Sequence, residues 1–129
     1  MKAIDTNIVA RLLLDDDVGQ AAIARSLVDG GVFVPLTVLL ETAWVLRSRY
    51  GLSREAVADY LLGLIEIPTV TVPEPDAVAW AISRSAKRGD LADLVHIVAS
   101  LGASEFLTFD QDVVNDASPD SPIPVAIPV

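Results

Sequence analysis

Short unbroken apolar runs alternate along this chain with longer stretches in which apolar residues return every three or four positions. Met1 to Asp5 is a short run that closes on an acid and reads as a buried strand. Thr6 to Leu14 carries a helical pattern, and so does Val18 to Asp29, which Gly30-Gly31 closes. Val32-Phe33-Val34 is a β-rich run stopped by Pro35. Thr37 can cap a helix from Val38 to Tyr50 that ends at Gly51. Ser53 can cap the next, from Arg54 to Glu66, and Pro68 stops it. Thr69-Val70-Thr71-Val72 is a strand, and Asp76 to Arg88 is a helix closed by Gly89. Asp90 opens a further helix that ends near Gly102. Glu105 to Phe109 is a strand, a short helix follows Asp110, and Ile123 to Ile127 is a last, proline-interrupted edge strand.

Strands that alternate with helices of about 10–15 residues predict an α/β fold with a mostly parallel sheet. Such sheets place their functional crevice at the carboxyl ends of the strands. No internal repeat or linker divides the chain, so residues 1–129 are expected to form one domain. That length can bury a hydrophobic core. With 52% apolar and 21% charged residues, the composition is that of a globular protein. The absence of cysteine excludes disulfides and thiolate zinc sites. The first residues lack the long apolar segment of a signal peptide, and no run approaches the ~18 apolar residues that span a bilayer. The expected location is the cytoplasm, with no membrane partner.

The net charge is −9, from 18 acids against 9 Lys and Arg. That is the wrong sign for a protein that simply coats nucleic acid, where affinity comes largely from Lys and Arg. It suits a site that must itself be acidic. The strand-end rule says where to look. Asp5 ends the first strand and Asp110 ends the Phe106–Phe109 strand. Asp93 lies in the first turn of the helix opened by Asp90, and Glu41 lies one turn into the helix after Val32–Val34. These carboxylates map to one rim of one sheet, and hard cations such as Mg²⁺ and Mn²⁺ take oxygen ligands of this kind.

Each acid also has a plainer role. Asp5 and Asp110 follow strands and can be helix N-caps. Asp90 is the best cap candidate, and Asp93 at the third helical position can complete a capping-box-like pair with it. Glu41 is the lone ionisable side chain between Leu36 and Leu46, and a helix this apolar is expected to be largely buried. An unpaired carboxylate there would cost several kcal/mol. A cation or metal-held water resolves that cost; a solvated edge, or pairing with Arg84 or Arg88, is the structural alternative. By the same reasoning Glu41→Gln is expected to be at least as stable as wild type. Asp15-Asp16-Asp17 reads as a solvated loop and helix cap, and the lone His96 as a packed core residue. With no cysteine and no Ser-His-Asp arrangement, covalent catalysis lacks candidates.

At these same residues the chain resembles a known family. Asp5-Thr6-Asn7 after a short strand resembles the opening motif of PIN-domain ribonucleases. Leu40-Glu41-Thr42-Ala43-Trp44-Val45-Leu46 resembles their helical glutamate motif. Asp90-Leu91-Ala92-Asp93-Leu94-Val95-His96-Ile97 resembles the third motif, with Asp93 as its core acid. Phe106-Leu107-Thr108-Phe109-Asp110-Gln111-Asp112 resembles the fourth, with Asp110 as its acid and Thr108 as its hydroxyl. Leu91 and Val113 stand where the family often has aromatics. The motifs occur in order over residues 1 to about 112 and are most similar to the VapC toxins of toxin–antitoxin pairs.

The resemblance implies a three-layer α/β/α fold, a Mg²⁺ or Mn²⁺ site and single-stranded or structured RNA as substrate. It also implies a homodimer and a small VapB-type antitoxin whose C-terminal segment lies across the active site. Asp5 and Asp93 are then direct metal ligands, Asp110 completes the site, and Glu41 acts through water as ligand or general base. Thr6, Asn7, Asp90, Thr108 and Asp112 are candidates for a supporting shell around these acids. Arg11, Arg47, Arg49, Arg84, Lys87 and Arg88 hold most of the positive charge and, clustered on one side, would steer RNA. The rival is a catalytically silent PIN-like interaction module. A receiver-type phosphoacceptor fits poorly, because the only lysines are Lys2 and Lys87. A haloacid-dehalogenase-type phosphatase wants an acid where Asn7 stands.

Overall fold

Val32 and Val34 are fully buried, as a strand covered on both faces requires, and the fold is assembled around them. The computed structural model describes all of residues 1–129. In chain order the elements are β1 (Lys2–Ala3), α1 (Thr6–Leu14), α2 (Val18–Asp29), β2 (Val32–Phe33), α3 (Leu36–Ser48) and α4 (Arg54–Glu66). They continue with β3 (Val70–Thr71), α5 (Pro75–Lys87), α6 (Leu91–Ala99), β4 (Phe106–Leu107), α7 (Gln111–Ala117) and β5 (Val125–Ala126). The result is a three-layer α/β/α fold with parallel strands.

Every strand pairing is parallel. β2 lies between β1 and β3, with Lys2 opposite Val32 and Val32 opposite Val70. β4 and β5 form a separate pair rather than continuing the first ladder, so the expected single sheet is divided in two. The strands are short: Asp5 and Asp110 turn the chain into helices almost at once, which leaves few backbone groups to join the halves. β5 pairs only with β4, as its prolines demand; the Pro124 carbonyl accepts from Phe106 N–H at 2.8 Å, and no proline N–H is needed.

The helices expected at Thr6–Leu14, Val18–Asp29 and Arg54–Glu66 occur with those bounds. Asp17 and Ser53 cap the latter two through Gln20 N–H and Ala56 N–H. α3 departs from expectation. It begins at Leu36, and the Pro35 carbonyl, not the Thr37 side chain, starts its hydrogen-bond ladder, accepting from Val38 and Leu39 N–H. It also stops before Tyr50: Gly51, at φ 64°, donates its N–H to the Arg47 carbonyl, and Leu52 donates to Leu46.

α3 is also less buried than its composition suggests. It sinks Leu39, Thr42, Ala43 and Leu46 into the core and turns Glu41 and Trp44 to solvent. Its core face meets α1 and α6, and α4 packs between α3 and α5. α6 inserts Leu94, Val95, Ile97 and Val98, which leaves Asp93 half-buried at the margin and His96 exposed, not packed. No helix is long and apolar enough to cross a membrane.

One continuous cluster of 23 buried residues runs through these elements. Leu46 is 0% exposed within it. Leu46→Ala should therefore cost about 2–5 kcal/mol of unfolding free energy, because the cavity it leaves cannot fully collapse. Urea unfolding checks this; a cost below that of an ordinary surface substitution would contradict the assigned core.

Candidate functional site

Asp5 and Asp110 each stand where a strand hands over to a helix. The Asp5 carboxylate accepts from Ile8 N–H at 3.1 Å and caps α1. Asp110 accepts from Asp112 N–H at 2.9 Å and caps α7, while its own N–H donates to the Thr108 hydroxyl at 3.0 Å. Asp90 caps α6 through Ala92 N–H at 3.1 Å. The capping roles expected for all three are thus present. Each bond uses the Oδ1 atom, so the second carboxylate oxygen stays available to a ligand.

Glu41 comes from α3 to meet the start of α1. The buried Thr6 hydroxyl donates to its Oε1. Glu41 itself is exposed, which overturns the expectation of a carboxylate stranded in an apolar interior. Neither Arg84 nor Arg88 pairs with it. Their side chains are bound to the Ser118 carbonyl, and that of Arg84 also to Asp116 and Asp120. Asp5, Thr6, Asn7, Glu41, Trp44 and Arg49 line an open cleft of ≈ 230 Å³.

Asp93 belongs to a second group. Burial pushes its carboxyl pKa up, the charges of Asp90, Asp110 and Asp116 push it further, and His96 one turn away opposes them. Asp116 is the member that sequence reading missed. It stands three residues after the buried Val113 on α7, close to the same helix face, and that spacing was the available signal. Gly89 lets it approach: a Cβ there would lie 3.2 Å from the Asp116 Cβ, and Gly89 has φ +87°. Asp112 is exposed and touches this group only through its N–H bond to Asp110.

α3 spans the two groups. Trp44 borders the Asp5–Glu41 cleft and also a groove of ≈ 510 Å³ whose far wall is Asp90, Leu91 and Ala92. As the side chains stand, no three acidic or histidine residues close on one point tightly enough to cage an ion. Capping bonds tie one oxygen each of Asp5, Asp90 and Asp110 to the start of a helix. The donor chemistry nonetheless suits a hard cation, being all oxygen with no thiolate.

The basic residues are more divided than expected. Arg11 is tied to Asp16 and Gln20. Arg84 and Arg88 clamp the Asp116–Asp120 turn. Asp16 also takes the Tyr50 hydroxyl at 3.0 Å, so it ties α1 to the end of α3 and is not merely solvated. Arg47 and Arg49 take part in none of the protein's ion pairs and border the groove and the cleft respectively.

Acids placed at strand ends and at the head of α6 in this topology have a counterpart among known proteins. The family described as PIN domain matches residues 2–117. The chain belongs to the PIN-domain family. Comparison with curated proteins returns no match. PIN domains are generally nucleases, fit RNA binding and usually use divalent metals.

The raised pKa of Asp93 sets a pH dependence for this PIN domain. A raised folded-state value favours the protonated form, so Asp93 stabilises the fold below the usual aspartate range and loses that contribution as pH rises through its raised pKa. At neutral pH the ionised group is a cost. Asp93→Asn should therefore melt at or up to a few degrees above wild type in chelator at pH 7, with the gap closing as pH falls below the aspartate range. Calorimetry checks it; a variant clearly less stable than wild type at pH 7 contradicts the repulsion. Glu41→Gln, by contrast, should leave stability near wild type, since the carboxylate it replaces is already exposed.

Proposed function

We propose that this PIN domain is a divalent-metal-dependent endoribonuclease and acts as the toxin of a VapBC-type pair. The observation that carries the reading is the gathering of Asp90, Asp93, Asp110 and Asp116 about the head of α6, where burial and the neighbouring charges raise the Asp93 pKa and capping bonds fix Asp90 and Asp110 in place. A cation relieves that repulsion, and Asp5, Asp93 and Asp110 are the residues that would hold it. When bound, Mg²⁺ or Mn²⁺ would supply charge to offset the charge that develops on the phosphate. Thr6 fixes one oxygen of Glu41, and the other is free to accept a proton from the attacking water. The water oxygen bonds to phosphorus, the phosphorus–oxygen bond to the departing nucleoside breaks, and that nucleoside oxygen ends protonated. Asn7 faces the same cleft and serves as a donor toward the phosphate. Thr108 holds Asp110 in register, and Asp112 supports it through the backbone.

The whole chain acts as one domain in this reading, in the cytoplasm. A shallow groove between α1 and α2, formed by Ile8, Ile23 and Leu27, opens on Asp5 and Asn7 and supports an antitoxin segment laid across the site. The apolar residues of α3 and α4 that support a homodimer are the exposed Trp44 and Tyr60. Leu61 and Leu64 are fully buried within α4 and take no part in it.

Purified protein should cut labelled single-stranded RNA with Mg²⁺ or Mn²⁺ and stop in EDTA. Asp5→Asn and Asp93→Asn should each lower the rate by at least about 100-fold, the lower end of what loss of a well-placed catalytic group costs. Cutting that persists in EDTA, or that survives both substitutions, sinks the mechanism.

A further inference from the structure

Trp44 is 62% exposed, an unusual placement for a tryptophan that sits midway along a helix facing the core. Its position is also specific. Glu41 precedes it by three residues and Arg47 follows by three, so acid, indole and guanidinium share the solvent side of α3. The indole forms part of two adjoining walls, the acidic cleft with Asp5 and Glu41 and the larger groove with Leu40, Ala43 and Leu91. Arg49 opens on the cleft, Arg47 on the groove, and neither is taken up by an ion pair.

We infer that Trp44 is a stacking platform for an unpaired base next to the scissile phosphate, with Arg47 and Arg49 receiving the flanking phosphates. This rests on the nuclease reading above and adds the residues that hold the strand beside the reacting phosphate. Three features favour an RNA strand over a protein segment. The patch is one aromatic face flanked by two unpaired cations, the combination that binds single strands through stacking plus backbone charge. The groove is continuous with the acidic cleft through the indole itself, so a base on Trp44 adjoins a phosphate at Glu41. At ≈ 510 Å³ the groove lies within the usual size range of small-ligand clefts. The one carboxylate in its wall, Asp90, is engaged in capping α6. A base-paired duplex cannot present an unstacked face, so it gains nothing from the indole.

The test uses the Asp93→Asn protein in Mg²⁺, so that RNA stays intact, and a fluorescently labelled nine-nucleotide oligouridylate, with a blunt duplex of mixed sequence as comparison. Binding is read by anisotropy, and mass by sedimentation. Trp44→Ala should weaken single-strand binding by about tenfold or more, the loss expected for one base–aromatic stack. Trp44→Phe should recover most of it, and duplex binding should be unchanged. On the otherwise wild-type enzyme, Trp44→Ala should raise KM with little change in kcat. Single-strand binding equal in Trp44→Ala and its parent overturns the proposal. So does a Trp44→Ala protein whose only change is a smaller assembly mass, which makes the indole a contact between copies. Neither result touches the nuclease reading, which fails on its own if wild-type protein binds the strand in a Trp44-dependent way yet never cuts it.

Discussion

Four aspartates of this PIN domain, Asp90, Asp93, Asp110 and Asp116, are held where they repel. Asp90 and Asp110, like Asp5 at α1, each accept a backbone N–H from the first turn of a helix, and those capping bonds fix where the helices begin. The helix N-terminus rewards negative charge there, which offsets part of the repulsion. It cannot offset all of it, because Asp93 and Asp116 bring further charge to the same corner and Asp93 is partly removed from water. The same bonds that fold the chain therefore maintain an electrostatic debt that a small hard cation is suited to relieve. Fold and site share atoms: each capping aspartate anchors its helix with one oxygen and offers the other.

Much of the architecture was legible because its signals are local. Asp17 and Ser53 announce α2 and α4 by ordinary capping, and Gly51 and Gly89 mark turns that need a left-handed residue. α3 was misjudged at both levels. Thr37 is a good cap type, yet the chain enters the helix two residues earlier, because Pro35 in an extended conformation already presents its carbonyl to Val38 and Leu39. The apolar run from Leu36 to Leu46 suggested a largely buried helix, but its neighbours cover only the Leu39, Thr42, Ala43 and Leu46 side. Composition states what a helix can bury, and the packing of α1, α4 and α6 decides what it does bury.

The site was legible as a set of acids at strand ends and illegible as geometry. Asp116 joins the group only because Gly89 admits α7 so closely, a tertiary contact that the spacing of Asp116 from Val113 does not by itself announce. Arg84 and Arg88 looked free to meet RNA, and instead they hold the chain end that carries Asp120 and Ser118. Asp120, drawn to Trp80 and Arg84, has its pKa lowered as a result. Beside the acids and Trp44, Arg47 and Arg49 keep guanidinium groups outside every ion pair. A protein of net charge −9 can engage RNA if its few unpaired cations lie next to the reacting phosphate, since steering depends on local field more than on the total.

The central claim is that acids from separate strand ends serve one cation. Mn²⁺ titration followed by electron paramagnetic resonance reads it without reference to RNA, because the sharp signal of the free ion falls as the ion is bound. Wild-type protein should remove Mn²⁺ from solution, and Asp5→Asn and Asp93→Asn should each weaken that uptake by about tenfold or more, although these residues head different helices. Asp29→Asn, on the last turn of α2, should leave it unchanged. Uptake that survives Asp5→Asn and Asp93→Asn alike would contradict a shared site.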